Sequence, residues 1–186
     1  MRTSPSAFLL FPKCSNRKRM SVSASEASCD TGTPEGRARA AAVARGILRL
    51  FARHDIFGIT EVPLPNGRRL DIMAIDARGQ IIAVEIKCSR ADLLGDRKWQ
   101  DYFDYCDRYF WAVPSGFDLA LLDLPTLWPN RTGLIVADAY DAEIIRPAPT
   151  EPLAAARRKA ETLRFARRAA RRVSGFLDTG LIASES

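Results

Sequence analysis

Seven residues, Ile81-Ile82-Ala83-Val84-Glu85-Ile86-Lys87, set the strongest limit on the fold. An apolar run this short, rich in β-branched residues and bounded by turn signals, reads as a strand covered on both faces. Such a strand lies in the middle of a sheet. Yet it ends in two charged residues, and charges are buried only when they are paired or coordinate a metal. Residues two apart share a face of a strand, so Glu85 and Lys87 point one way while Val84 and Ile86 point into the opposite layer.

The flanking sequence supplies the rest of a sheet. Ile59 to Leu64 reads as a strand, Pro65-Asn66-Gly67 as a turn, Arg69 to Asp76 as a second strand and Ala77 to Gln80 as its turn. With the central run these make an antiparallel meander. Upstream, residues 35–54 repeat apolar side chains at helical spacing (Val43, Ile47, Leu50, Phe51) and carry an Arg face. Downstream, Ser89-Arg90-Ala91-Asp92 resembles a capping box with Asp in the acidic place. It predicts a helix containing Asp96 to Cys106, with Trp99, Phe103 and Cys106 on one face. Tyr109 to Val113 is a fourth strand, ended by Pro114, and residues 115–130 form an irregular connection. Leu134 to Ala137 and Glu143 to Ile145 are two further strands. A last helix spans Pro152 to Val173, and its apolar side (Leu153, Ala156, Ala160, Leu163, Ala170) is expected to pack on the sheet. No internal repeat is present. The fold class is α/β, a mixed sheet flanked by helices, in one domain over residues 35–175. Residues 1–34 read as a Ser-rich unstructured leader, with Met20 as an alternative start, and 176–186 as a flexible tail.

The 186 residues hold 28 Lys and Arg against 22 Asp and Glu, and a net charge of +6 fits either a phosphate-binding surface or simple solubility. Four cysteines without a CxxC pair and a single His, His54, argue against a zinc site and against a disulfide framework, as in a reducing cytoplasm. The apolar patch Phe8 to Phe11 is too short to span a membrane, so neither a membrane nor an export signal is expected.

Chemistry concentrates at three charged residues in or at the end of apolar strands: Asp71, Glu85 and Lys87. If the two strands form a hairpin, Asp71 lies close to Glu85. Two nearby carboxylates repel unless a cation lies between them, and oxygen ligands select Mg²⁺ or Mn²⁺. The main-chain carbonyl of Ile86 is a further ligand candidate, and Glu61 on the preceding strand can complete the acidic cluster. An ammonium beside such a metal suits phosphodiester hydrolysis. The bland alternative is an ion pair at a strand end.

The segments Gly67-Arg68-Arg69-Leu70-Asp71, Val84-Glu85-Ile86-Lys87 and Ser89-Arg90-Ala91-Asp92 resemble the PD-(D/E)xK nuclease superfamily, and more narrowly the MmcB family of bacterial DNA repair proteins. Asp96 to Tyr102, Gly133 to Asp138 and Ala155 to Ala160 extend the likeness, which covers roughly residues 37–175. Leu70 stands where the motif has Pro, and the first helix lacks an internal acid. The resemblance implies a restriction-endonuclease-like, four-stranded mixed core with helices around it. It implies catalytic Asp71, Glu85 and Lys87, and a DNA endonuclease acting in damage tolerance that makes substrates for translesion synthesis, with DNA and other repair proteins as partners. It also implies that Lys98, Gln100 and Tyr102 touch DNA or the metal's water; the alternative is a solvated Lys beside a packed Tyr. No small-molecule cofactor is expected.

Arg164, Arg168 and Arg171, within the basic run Arg157 to Arg172, are candidates for a phosphate track, as are Arg39, Arg45 and Arg49 on the first helix. Trp99 and Trp111 read as core residues. Two rival functions stand beside the endonuclease: a DNA-binding module that keeps the fold without cleaving, and an adaptor in a repair complex whose Arg-rich helix docks an acidic partner.

Overall fold

The apolar run is strand β3 (Ile81–Ile86), and all of its residues are buried. The computed structural model describes residues 33–178. The leader up to residue 32, with Cys14, Cys29 and Met20, and the tail beyond 178 lie outside the described residues. Helix α1 (Pro34–Arg53) comes first. Strands β1 (Ile56–Pro63) and β2 (Arg69–Asp76) precede β3, and the short helix α2 (Arg90–Gly95) follows it. Next come a 3-10 helix (Trp99–Tyr105), β4 (Arg108–Pro114), two short 3-10 segments, β5 (Gly133–Ala137), β6 (Ala142–Arg146) and helix α3 (Ala155–Leu177).

The six strands form one sheet in chain order. β1, β2 and β3 pair antiparallel, as the short turns between them require. β4 joins β3 parallel, β5 joins β4 parallel, and β6 closes the edge antiparallel. The expected mixed α/β sheet is present, with two strands more than the four-stranded core that the resemblance implies. Ile82, Val84 and Ile86 face α1, whose Val43, Ile47, Leu50 and Phe51 complete that layer. Ile81 and Ala83 face a second layer dominated by Trp99, Tyr102, Tyr109 and Trp111.

α1 starts where Thr33 accepts a hydrogen bond from the Gly36 N–H at 3.1 Å, with Pro34 in its first turn. Its midpoint lies hard against the β5–β6 turn. A Cβ on Gly46 would fall 2.2 Å from the Asp138 carbonyl oxygen and 2.5 Å from that of Asp141. Arg53 pairs with Asp141 at 2.5 Å, and Arg49 donates to the Tyr140 carbonyl at 3.3 Å, so these cations fasten the helix to the sheet edge.

Two sequence expectations are corrected. The helix predicted over Asp96 to Cys106 is instead α2 followed by the 3-10 helix. α2 stops at Gly95 because Asp96 is drawn off to bond the Lys87 ammonium and the Lys98 N–H. A 3-10 helix brings every third residue to one face, and Trp99, Tyr102 and Tyr105 are its buried residues. Helical spacing had grouped Trp99 with Phe103 and Cys106. The second correction concerns α3. Its inward face is polar: Glu161 is fully buried, Arg164 bonds it at 2.8 Å, Arg158 pairs with buried Asp107, and Arg172 donates to the Thr60 carbonyl. Of the apolar side expected on the sheet, Leu153 does pack against the core, joined there by Phe165, but Ala156, Ala160, Leu163 and Ala170 point outward, with Leu163 54% exposed.

Candidate active site

The antiparallel ladder between β2 and β3 runs as far as Ile72 opposite Val84. One step further in that register, Asp71 stands opposite Glu85, as the hairpin reading requires. Here the Asp71 side chain replaces the ladder, and its Oδ2 accepts the Ile86 N–H at 2.7 Å. The N–H and C=O of one strand residue leave on the same side. The Ile86 carbonyl therefore leaves toward Asp71, whereas the next N–H, that of Lys87, bonds the Ala112 carbonyl on the other side at 2.8 Å.

Both β1 and β2 change face at this point. Ile72 and Ala74 of β2 belong to the α1 layer, but Leu70 belongs to the opposite one. In β1, Ile56 faces α1 while Val62, an even number of residues further on, does not. Between them Glu61 has φ +53°, a left-handed conformation disfavoured for any residue with a side chain. Glu61 and Asp71 are also the one step absent from an otherwise continuous register. The switch opens a cleft of about 950 Å³ at the sheet end, walled by Ala40, Ala44, Arg37 and Arg45 of α1. Glu61, Arg69, Asp71, Glu85, Ile86, Lys87 and Asp92 line its other side.

The electrostatics are those of a half-buried Asp71 and a buried Glu85 with one buried cation. Burial pushes the Asp71 carboxyl up to about 6, against the Ile86 hydrogen bond and the Lys87 charge, and Glu61 adds to the rise. Burial also holds Glu85 well above its ordinary range, and the Asp71 charge raises it further. Glu85 Oε2 is buried without a hydrogen-bond partner. The Lys87 ammonium lies 3.3 Å from Glu85 Oε1, 2.8 Å from Asp96 Oδ2 and 3.7 Å from Asp92 Oδ1. Burial opposes its charge, but Glu85, Asp92 and Asp96 outweigh that and raise it above its ordinary value.

Asp71, Glu85, Ile86 and Lys87 thus meet in one place. Glu61 reaches the rim, where it pairs with Arg69 at 2.5 Å and is half exposed. Among the described residues no three Asp, Glu, His or Cys side chains form a group able to hold a metal ion. The two facing carboxylates still fit Mg²⁺ or Mn²⁺, because Mg²⁺ keeps several waters and takes one or two carboxylates. The partnerless Glu85 oxygen and the Ile86 carbonyl are of the right hard-oxygen type. Of the 3-10 helix candidates, Tyr102 lies nearest the site. It is buried, and its hydroxyl donates to the Arg69 carbonyl at 3.0 Å and so props up β2. Burial raises its pKa, and the Glu85, Asp96 and Asp71 charges add to the rise. Lys98 is exposed and Gln100 half-buried, and neither lines the cleft. Arg164 is held by Glu161, Arg168 is half-buried and Arg171 is exposed. Sequence reading missed Asp92 and Asp96 as partners of Lys87. The available signal was their spacing of four residues directly after a buried strand-end lysine, which needs counter-charge from somewhere.

The sequence model of a family described as DNA repair protein MmcB-like matches residues 25–180. The structure is similar to that of a protein of unknown function from Silicibacter pomeroyi, at 44% identity and a TM-score of 0.66. That match covers 74% of this chain and 90% of the other. No curated protein matches the chain. Among the described residues no helix is long and apolar enough to cross a membrane.

Proposed function

The chain belongs to the MmcB-like DNA repair family, and from that premise we propose that it is a metal-dependent DNA endonuclease with a PD-(D/E)xK-type, restriction-endonuclease-like site. The observation that carries the reading is the pair of half-buried Asp71 and buried Glu85 beside Lys87 at the floor of an open cleft. Asp71, Glu85 and the Ile86 carbonyl are the residues to hold Mg²⁺ or Mn²⁺, with Glu61 at the rim as a further carboxylate. A divalent ion held by these residues would supply Lewis-acid polarisation of a phosphoryl oxygen and a bound water of lowered pKa.

The chain's own groups do the remainder. Asp96 and Asp92 keep Lys87 charged and fixed, so its ammonium is set to offset negative charge developing on phosphorus. Arg37 and Arg45 give the opposite wall a positive rim that draws in a phosphodiester backbone past the acidic floor. None of these groups reads base edges, in keeping with an enzyme that acts at many sequences. Within damage tolerance its cuts would furnish substrates for translesion synthesis.

A second reading, a DNA-binding module that does not cleave, draws support from the lack of a third clustered carboxylate among the described residues. One assay separates the two. Purified protein is incubated with Mn²⁺ or Mg²⁺ and single-stranded, duplex, flap and nicked DNA, beside Asp71→Asn and Glu85→Gln. Cleavage that needs metal and both carboxylates is expected. Tight DNA binding without cleavage of any substrate would decide for the non-catalytic module.

A further inference from the structure

α3 departs from the usual arrangement. An amphipathic helix on a globular protein ordinarily buries its apolar stripe and gives its charges to water. Here Arg158, Glu161, Arg164, Arg168 and Arg172 lie toward the protein around the half-buried Phe165, while Lys159, Arg167 and Arg171 stay in solvent. Glu161, the helix's one acid, is fully buried between Arg157 and Arg164, and Arg158 and Arg172 reach to Asp107 and Thr60. The opposite side carries Leu163, Ala166, Ala170, Val173 and Leu177, spaced alternately three and four residues apart. That spacing keeps one continuous seam on a helix facing another helix. Leu163 is 54% exposed, Val173 57% and Leu177 84%, and Phe176 beside them is 89% exposed. A contiguous apolar strip of this kind marks an interaction surface.

We propose that this face of α3 docks an amphipathic helix with acidic flanks from another protein. The proposal is independent of whether the cleft cleaves DNA. Charge selects the occupant. Lys159 lies in line with the stripe and Arg167 borders it, both exposed, while the only acid of α3 is sealed on the inner face. A second copy of the chain would bring basic flank against basic flank, and the one exposed carboxylate adjoining α3 among the described residues, Asp178 at its C-cap, lies past the end of the seam, which disfavours pairing. Shape narrows the choice further. Ala166 and Ala170 make the centre of the seam flat, which lets a second helix approach closely. A bilayer interface rewards bulky side chains at those central positions, and DNA offers nothing to an apolar stripe. An acidic amphipathic helix answers both the seam and its border.

The test uses the full chain and a synthetic helical peptide of about six turns, ~21 residues, matching α3 in length. The peptide carries a Leu seam with Glu flanks, and its control has the same seam with Lys flanks. Binding is followed by fluorescence anisotropy. Wild type is expected to prefer the Glu-flanked peptide by about tenfold or more. Leu163→Gln with Val173→Gln, both on the outer face and checked for fold by circular dichroism, should weaken that binding by about tenfold or more. Lys159→Glu with Arg167→Glu should invert the preference toward the Lys-flanked peptide, an outcome that loss of folding cannot mimic. Equal binding of the two peptides by wild type would overturn the proposal, as would indifference to the seam substitutions. Sedimentation velocity of the protein alone and flotation with anionic phosphatidylserine vesicles complete the set. Self-association or vesicle binding that the seam substitutions abolish would assign the face to a second copy or to a membrane instead, and overturn the acidic helix.

Discussion

Asp71→Asn should separate catalysis from stability. The substitution removes one of two facing carboxylates but keeps an oxygen for the Ile86 N–H. Metal-dependent cleavage is expected to vanish. The metal-free protein is expected to become more stable, in a pH-dependent way. The folded Asp71 carboxyl is raised from 3.8 to about 6, so between those values the native state holds a proton that the unfolded chain has released. Wild type therefore loses stability as pH rises through that window, and the Asn variant does not. Thermal melts should show little difference near the lower end and an advantage on the order of 1–3 kcal/mol at neutral pH. Lys87→Ala acts in the opposite sense. It strands Glu85, Asp92 and Asp96 around a missing cation, and should abolish cleavage and cost on the order of 3–5 kcal/mol in a denaturant titration. The site's core was legible in the sequence because strand alternation alone decides which way Asp71, Glu85 and Lys87 can point. Asp92 and Asp96 were not. Their positions depend on where α2 breaks, and a break that exists to satisfy a buried lysine shows only once the lysine's surroundings are known. The left-handed Glu61 was equally hidden, since no turn signal such as Gly or Asn marks it.

At the scale of elements, the tightest joint is α1 against the β5–β6 turn. Gly46→Ala would force a methyl into the Asp138 and Asp141 carbonyls, which are backbone and cannot swing aside. Overpacking of this sort costs about 1–3 kcal/mol, and backbone obstacles argue for the upper end. The check is the shift in urea midpoint at unchanged slope. Elements whose apolar period matched one simple environment were readable: β2 was predicted with the bounds it has, and α1 and β3 within a residue or so. The aromatic segment Trp99–Tyr105 was not, because aromatics this closely spaced satisfy a 3.6-residue and a three-residue period alike. The packing around Tyr109 and Trp111 chose the tighter coil. For α3 the sequence established that an apolar stripe exists, but periodicity says nothing about what covers it. The inner face was claimed by Asp107 and the Thr60 carbonyl, polar groups from distant parts of the chain.

For the whole molecule, the net charge of +6 conceals an acidic site within a basic surround. DNA binding should therefore weaken steeply with salt. With Arg164 and Arg168 turned inward, the cleft wall is the place to look for the slope. Arg37→Gln with Arg45→Gln should reduce it by roughly one unit for each phosphate no longer neutralised, and affinity should fall similarly on unrelated sequences. Anisotropy titrations at several salt concentrations measure both. The sheet's mixed topology also imposes an order of assembly. β1, β2 and β3 are joined by turns of a few residues and can zip together locally, whereas the parallel β3–β4 pair must wait until the intervening segment with α2 and the 3-10 helix has crossed over. Asp71 and Glu85 belong to the first of these steps, so their mutual repulsion is felt in the folding transition state as well as in the native protein. A divalent cation bound by the pair should accordingly speed refolding more than it slows unfolding, which stopped-flow chevrons with Mn²⁺ and with chelator would reveal. The ion that serves the chemistry would then also serve as a kinetic chaperone for the hairpin that holds it.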